Sequence, residues 1–403
     1  YAKWGGFIDG VEQFDPLFFN ISPREAVGMD PQERLFLQTV VETLEDAGYT
    51  RDKLGQRVGV YVGVMYEEYQ LYGAQAQQQG MGYALGGNAA SIANRVSYWC
   101  NFRGPSMAVD TMCSSSLTAI HLACQSIRNG HCEVAVAGGV NVSVHPNKFL
   151  VLAQGQFASS EGLCRSFGEG GDGYVPAEGV GAVLLKPLSQ AIEDGDRIYG
   201  VIRGSAINHG GKTNGYTVPN PTAQGEAITE ALAQSGINAR AISYIEAHGT
   251  GTSLGDPIEI AGLSKAFGQH TSDKQYCAIG SAKSNIGHAE SAAGIAGLTK
   301  VLLQMRHKTL VKSLHSEVLN PHIEFKATPF VVQQSTQAWE RPVIDGRESP
   351  RIAGLSSFGA GGSNAHLIIE EYEDHRIGAK TQGPVVVVLS AKNEERLKEQ
   401  VKR

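Results

Sequence analysis

Short β-branched runs alternating with longer alanine-rich stretches constrain this chain more than any other feature of its sequence. Residues 58–64, 134–142, 198–207, 242–247, 276–281 and 365–370 read as strands, and residues 31–47, 114–128, 222–235, 257–267 and 291–305 as helices. Such alternation predicts an α/β fold with a mostly parallel sheet. In the second of these helices Leu117, Ile120, Cys124 and Ile127 recur on one face, and Asn129-Gly130 supplies a stop signal. The 49 glycines suit a protein with many tight strand-to-helix turns. No repeat of roughly 20 to 50 residues is visible, which excludes a solenoid or propeller. From residue 373 the character changes: Glu373-Asp374-His375-Arg376 with Gly378, Gly383 and Pro384 reads as a linker, residues 385–389 as a new strand and 393–403 as a charged helix.

Composition removes several function classes. With 42% hydrophobic and 18% charged residues the chain is globular rather than disordered. Its net charge of −6, with Lys and Arg thinly spread, leaves no basic stripe for nucleic acid. No apolar run approaches the roughly 18 residues of a membrane span, and no signal-peptide pattern is present. The first residue is Tyr1 rather than Met, so the chain reads as a piece of a longer, soluble protein. Six cysteines (Cys100, Cys113, Cys124, Cys132, Cys164 and Cys277) lie at irregular spacings without a C-x-x-C pair. Neither a disulfide framework nor a metal site is expected, and reduced thiols in the cytoplasm are the default. There is no P-loop, no G-x-G-x-x-G after a strand and no G-x-S-x-G.

Three segments carry chemistry. Cys113 lies in Ala108-Val109-Asp110-Thr111-Met112-Cys113-Ser114-Ser115-Ser116-Leu117, where a strand end runs into a helix. At a helix N-terminus free amides and the dipole favour a thiolate, and the three serines are expected to satisfy first-turn amides. Taken alone, a free cysteine is more often a buried structural residue. The second segment, Glu246-Ala247-His248-Gly249-Thr250-Gly251-Thr252, follows a strand and precedes Asp256 and Glu259. The carboxyl ends of strands are where open α/β sheets place ligands. The third, Lys283-Ser284-Asn285-Ile286-Gly287-His288, again follows a strand, and its lysine is a charged partner that could orient or polarise an imidazole. Each histidine alone would read as an ordinary loop residue; three such segments at strand ends in one chain do not.

Together with Ser356–His366 and the opening Gly5–Met29 and Asp30-Pro31-Gln32-Glu33-Arg34, these segments resemble a β-ketoacyl synthase of the thiolase-like superfamily, and specifically the ketosynthase of a modular polyketide synthase. The resemblance covers residues 1–372. It implies two pseudo-symmetric halves, about 1–190 and 191–372, in a layered α-β-α-β-α arrangement. The family's first strand would precede this sequence, and residues 373–403 would be a linker and the start of a flanking subdomain. It also implies Cys113, His248 and His288 as catalytic residues, supported by Lys283, Asp256 and Glu259. The backbone amides of Cys113 and Ala360 would form an oxyanion hole, and Thr250, Thr252, Met112, Phe358 and Gly361 would meet substrate or its pantetheine arm. Ala360 stands where fatty-acid relatives carry a gating phenylalanine, so the amide is kept and the aromatic gate lost. Met112 stands where smaller residues are common; it narrows the pocket or simply packs.

The implied activity is decarboxylative Claisen condensation: an acyl group held on Cys113 is joined to a malonyl-type extender on acyl carrier protein. The implied partners are upstream and downstream carrier domains, neighbouring domains of the same synthase, and a second copy in a homodimer. No cofactor is implied beyond the phosphopantetheine that the carrier brings, and no metal. A non-elongating ketosynthase that only transfers the acyl chain is the rival; such members usually lose one histidine segment, and both are present here. A silent partner subunit would lack Cys113, and thiolase or chalcone-synthase relatives resemble a different set of partners for the cysteine. Residues Asn208–Tyr216 and Ser356–His366 look most like assembly lines whose acyltransferase acts in trans.

Overall fold

The computed structural model describes residues 3–82, 84–376, 383–384 and 386–402. Strands β1 (Val58–Gly63), β2 (Ser106–Val109), β3 (Val134–Asn141) and β4 (Gly179–Leu185) form one sheet in the order β2-β1-β3-β4. Beyond it the strands are β5 (Val201–His209), β6 (Tyr244–Glu246), β7 (Cys277–Gly280), β8 (Thr309–Leu310), β9 (Phe330–Val332), β10 (Gln337–Ala338), β11 (Val343–Ile344), β12 (Arg347–Glu348), β13 (Ile352–Phe358) and β14 (Ser363–Glu370). Six of these form a second sheet, β5-β14-β13-β6-β7-β9, while β8 pairs with β10 and β11 with β12.

The two sheets repeat one topology. β1 runs parallel to β2 and β3, and β3 antiparallel to β4; β6 likewise runs parallel to β7 and β13, and β13 antiparallel to β14. β5, antiparallel to β14, has no counterpart beside β4 among the described residues. Consecutive β4 residues Ala182, Val183, Leu184 and Leu185 all border an apolar cavity of about 460 Å³. Successive strand residues point to opposite faces, so a run of four lining one cavity marks the edge of the strand.

Alternation within the strands builds the layers. Val58, Val60, Val62, Val134 and Val136 face outward and pack with Phe36, Leu37, Val40 and Ile92 from helices Pro31–Asp46 and Ala89–Cys100. The other face carries the smaller Ala135 and Ala137, which meet Leu117, Ile120, Ile295 and Leu298 from helices Ser115–Arg128 and Ala293–His307. From the opposite side Ala353, Leu355, Ala365 and Leu367 close on the same two helices. Ile245, Ile279, Ile352 and Ile368 then face Ile228, Leu232, Ile260 and Leu263 of helices Pro221–Ser235 and Gly255–Phe267. The result is helix, sheet, helix, sheet, helix. Each fully buried aliphatic side chain contributes about 1.5–3 kcal/mol.

The chain divides into two compact units, Tyr1–Tyr372 and Glu373–Arg403. In the second unit the expected strand at 385–389 is not there: Val386–Leu389 belong to no strand, and Val386, Val387 and Val388 are exposed. A strand exists only with a partner backbone to bond, and none among the described residues pairs with this run. Val385 lies outside the described residues, as does Gly378 of the expected linker. The charged helix spans Glu394–Lys402, and Arg403 too lies outside the description. Several expected boundaries in the first unit also move: β5 begins at Val201, β6 is confined to Tyr244–Glu246, and the last helix opens as a tight turn, Glu290–Ala292, before Ala293–His307.

Candidate active site

The corresponding ends of β2, β6, β7 and β13 bring four chain segments together. After β2 the Met112 amide donates to Asp110 Oδ1 at 2.8 Å, and Met112 takes a left-handed φ of 57°. That conformation is costly for a residue with a long side chain, and it turns Cys113 into the start of helix Ser115–Arg128. The serines do not cap this helix as expected. Ser114 makes no side-chain cap; its hydroxyl donates back to the Thr111 carbonyl at 2.8 Å. Ser115 Oγ accepts from the Thr111 amide at 2.9 Å, and Ser116 Oγ accepts from the Ile295 amide at 3.1 Å, tying the two central helices together.

Gly359, just past β13, lies so close to this turn that a Cβ would sit 2.3 Å from the Thr111 carbonyl oxygen. Only glycine allows that approach, and it carries the next amide, that of Ala360, to the sulfur. Ser357 Oγ reinforces the contact by donating to the Cys113 carbonyl at 2.7 Å. The Ala360 amide and that of Cys113 itself both favour the ionised sulfur. Burial opposes the thiolate that a helix start favours. Burial, followed by the negative charge of Glu290, pushes Cys113 up to about 12, against the two amides and Lys283. Desolvation outweighs the dipole here.

His248 follows β6. Its Nδ1 accepts from the Phe358 amide at 3.2 Å, and the Phe358 ring centroid lies 5.7 Å from its own. His288 follows β7, and its Nδ1 accepts from the Glu290 amide at 2.9 Å. A main-chain N–H can only donate, so in each neutral ring the proton is on Nε2. The rings meet edge to face at 5.5 Å. Burial holds both well below the usual imidazole range, with the Lys283 charge adding to the effect. His288 Nε2 is buried without a hydrogen-bond partner among the described residues.

The supporting acids act on backbone rather than on the imidazoles. Glu259 accepts from the amides of His248 and Gly249 at 2.7 and 2.8 Å, and Asp256 from those of Phe167 and Gly251 at 2.7 and 3.1 Å. Burial raises both carboxyls, Asp256 to about 6. Lys283 is buried, which lowers its affinity for a proton, and Glu246 and Glu259 oppose that effect. Thr250 and Thr252 hydroxyls lie 3.2 Å apart on the His248 loop, and Thr252 Oγ accepts from the Gly255 amide. Gly361 has φ 98°, and a Cβ there would lie 2.9 Å from the Tyr216 hydroxyl. Met112 and Ala360 are half-buried, and Phe358 is buried.

Sequence reasoning did not name the buried polar group behind His288: Lys148, Glu290, Asn141 and Tyr174. Two signals were available, since Glu290 stands two residues past His288 and Asn141 ends an otherwise apolar strand. Lys148 and Tyr174 carry no local signal. Among the described residues no cluster of three or more His, Cys, Asp or Glu could hold a metal ion, and no helix is long and apolar enough to cross a membrane.

Residues 1–191 match the β-ketoacyl synthase N-terminal domain, 199–317 its C-terminal domain and 320–403 the ketoacyl-synthetase C-terminal extension. The chain is 67% identical over its whole length to a stretch of polyketide synthase PksL of Bacillus subtilis, and 62% identical over 99% of its length to polyketide synthase ThaG of Burkholderia thailandensis. It spans only 9% and 7% of those proteins. Among solved structures, the oxazolomycin ketosynthase domain OzmH KS7 of Streptomyces albus JA3453 matches all of this chain, which covers 70% of it, with TM-score 0.98 and 58% identity. The ketosynthase from module 6 of the Bacillus subtilis bacillaene synthase, 67% covered, matches with TM-score 0.91 and 44% identity. A thiolase-like layered fold, family matches over 1–191, 199–317 and 320–403 and the polyketide synthase relatives place the chain in the β-ketoacyl synthase family, as an acyl-transferring ketosynthase of the polyketide synthase type.

Proposed function

We propose that this domain elongates a polyketide by decarboxylative Claisen condensation. The observation that carries the reading is the pair of neutral imidazoles, His248 and His288, each with Nδ1 occupied by a backbone amide and its proton on Nε2. An upstream carrier thioester acylates Cys113. The tetrahedral oxyanion is met by the amides of Cys113 and Ala360, and the thiol proton leaves with the carrier's sulfur. A malonyl thioester on the downstream carrier then loses carbon dioxide, and the two Nε2–H groups donate to the thioester oxygen as it becomes an enolate oxygen. The enolate carbon attacks the acyl-Cys113 carbonyl, and collapse releases the β-ketoacyl carrier and the cysteine sulfur, which regains a proton. Lys283 adds positive charge, while Asp256 and Glu259 hold the His248 loop. Thr250, Thr252, Met112, Phe358 and Gly361 are assigned to substrate and its phosphopantetheine arm, which the carrier supplies.

Partner readings follow from the same site. Upstream and downstream carriers and neighbouring synthase domains are the expected company, with the extender loaded by an acyltransferase acting in trans. β2 is an edge strand, with Met107 38% exposed and Tyr98 83% exposed beside it, which supports a second copy pairing there in a homodimer. Six free cysteines suit a reducing compartment, the cytoplasm.

The test is incubation with an acyl thioester and malonyl carrier, following acyl-Cys113 by mass spectrometry together with carbon dioxide release. Extended product supports elongation. Acyl-Cys113 without carbon dioxide or extension would assign the domain to acyl transfer alone.

A further inference from the structure

Lys148 and Glu290 are both fully buried and form an ion pair. An interior ion pair must offset the desolvation of both charges, and it does so only when the remaining lone pairs and protons are bonded. Here they are. Asn141 Nδ2 donates to Glu290 Oε2 at 3.0 Å, and the Tyr174 hydroxyl to Glu290 Oε1 at 3.2 Å. Lys148 Nζ also donates to Asn141 Oδ1 at 3.1 Å and sits 4.8 Å from the centre of the Tyr66 ring.

The cluster converges on one imidazole. The Tyr174 ring lies 4.6 Å from that of His288, and the Glu290 amide donates to His288 Nδ1 at 2.9 Å. Glu290 has φ 47°, a left-handed conformation that a glutamate adopts only when its surroundings over-determine it. The clamped carboxylate provides that constraint. One residue is therefore held at its side-chain end by a lysine, an asparagine and a tyrosine, and at its backbone end presents a donor to a candidate catalytic ring.

We propose that the Lys148–Glu290 pair is a positioning device for His288: by anchoring Glu290 in its left-handed conformation it aims the Glu290 amide at His288 Nδ1 and keeps the ring proton on Nε2, toward the reacting thioester oxygen. The inference rests on the condensing role assigned to His288 above. The pairing matters for charge as well. A lone carboxylate this close would oppose the negative charge developing on that oxygen, and the paired Lys148 charge offsets part of that opposition.

The test uses protein labelled with [15N]histidine, with the His288 signals assigned by loss in His288→Ala. Wild type is expected to show a neutral ring protonated at Nε2, and Glu290→Gln and Lys148→Met to show tautomer exchange at that ring. In the same variants malonyl decarboxylation should fall about tenfold to a hundredfold, the scale of a misplaced catalytic group, while acylation of Cys113 should not fall with it in Glu290→Gln, since removing the Glu290 charge eases ionisation of the thiol. The doubly neutral Lys148→Met/Glu290→Gln leaves no lone charge buried, and it too should lose the single Nε2–H signal. A wild-type ring protonated at Nδ1, or variants that fold and keep both the signal and decarboxylation, would overturn the proposal; so would acylation and decarboxylation falling together with the His288 signals unchanged. If wild type releases no carbon dioxide, elongation fails as a reading, yet the tautomer comparison still decides whether the pair sets the ring.

Discussion

The main-chain N–H of Phe358 donates to His248 Nδ1 at 3.2 Å. Phe358 ends β13 and stands two residues before Ala360, whose amide favours the ionised Cys113 sulfur. One short stretch of backbone thus sets the tautomer of an imidazole and bears on the thiol, coupling the groups assigned to the two half-reactions.

If both imidazoles act as Nε2–H donors rather than as bases, a side chain that keeps a donor near that place should keep part of the function. His248→Gln and His288→Gln are expected to retain more malonyl decarboxylation than the alanine variants. Each alanine variant should lose about a hundredfold to a thousandfold, the loss seen when one oxyanion donor is removed. Carbon dioxide release under saturating malonyl carrier checks this, and equal loss in the Gln and Ala variants would argue for proton abstraction.

Gly359→Ala attacks the other half-reaction. Its Cβ would meet the Thr111 carbonyl oxygen at 2.3 Å, so the loop must withdraw and take the Ala360 amide with it. Acylation of Cys113 is expected to fall by about a hundredfold or more. Quantifying acyl-enzyme by intact-protein mass spectrometry at early times measures it.

The thiol itself makes a pH prediction. An ordinary cysteine is half ionised near about pH 8.5 and its alkylation rate levels off above that. Cys113, pushed up to about 12 by burial and the Glu290 charge, should react with iodoacetamide at a rate still climbing about tenfold per pH unit through pH 9. A plateau near neutrality would mean that the thiolate is the resting form.

Glu259→Gln should separate positioning from folding. The carboxylate accepts from the His248 and Gly249 amides, whereas a carboxamide offers one oxygen and turns an N–H toward the second donor. The loss is expected to be about 1.5–3 kcal/mol in urea unfolding. Decarboxylation should fall further than acylation, because the His248 loop moves and the Cys113 turn does not.

How much of this was legible in sequence follows from the range of each interaction. Strand and helix periodicity is local, and the expected elements 58–64 and 134–142 differ from β1 and β3 by a single residue at one end. The segments carrying Cys113, His248 and His288 are also local, since each is a strand end followed by a turn. The Lys148–Glu290 pair joins residues far apart in sequence and depends on how the Pro146–Gln154 region packs, which no period or motif encodes. The direction of the shift at Cys113 is hidden from sequence for a related reason: a helix start can be read there, but the depth of burial that opposes it is a property of the assembled layers. The tail shows the converse error. An apolar run, 385–389, has the composition of a strand, yet pairing requires a partner that composition does not provide.

His366 offers a stability test apart from catalysis. It is fully buried on β14, its Nδ1 lies 3.0 Å from Ser356 Oγ, and burial lowers it to about 3. In the folded protein the ring therefore stays neutral, while in the unfolded chain it gains a proton as pH drops through about 6.5. The unfolded state then binds more protons, so stability is fully present above that pH and is lost as acid is added, by about 1.4 kcal/mol per unit, down to the folded value. His366→Asn, whose amide can still reach Ser356, removes this proton linkage. Between pH 7 and pH 5 the variant should lose about 2 kcal/mol less than wild type in urea unfolding, whatever uniform cost the smaller side chain adds. Parallel losses in the two proteins would mean that His366 is protonated in the fold.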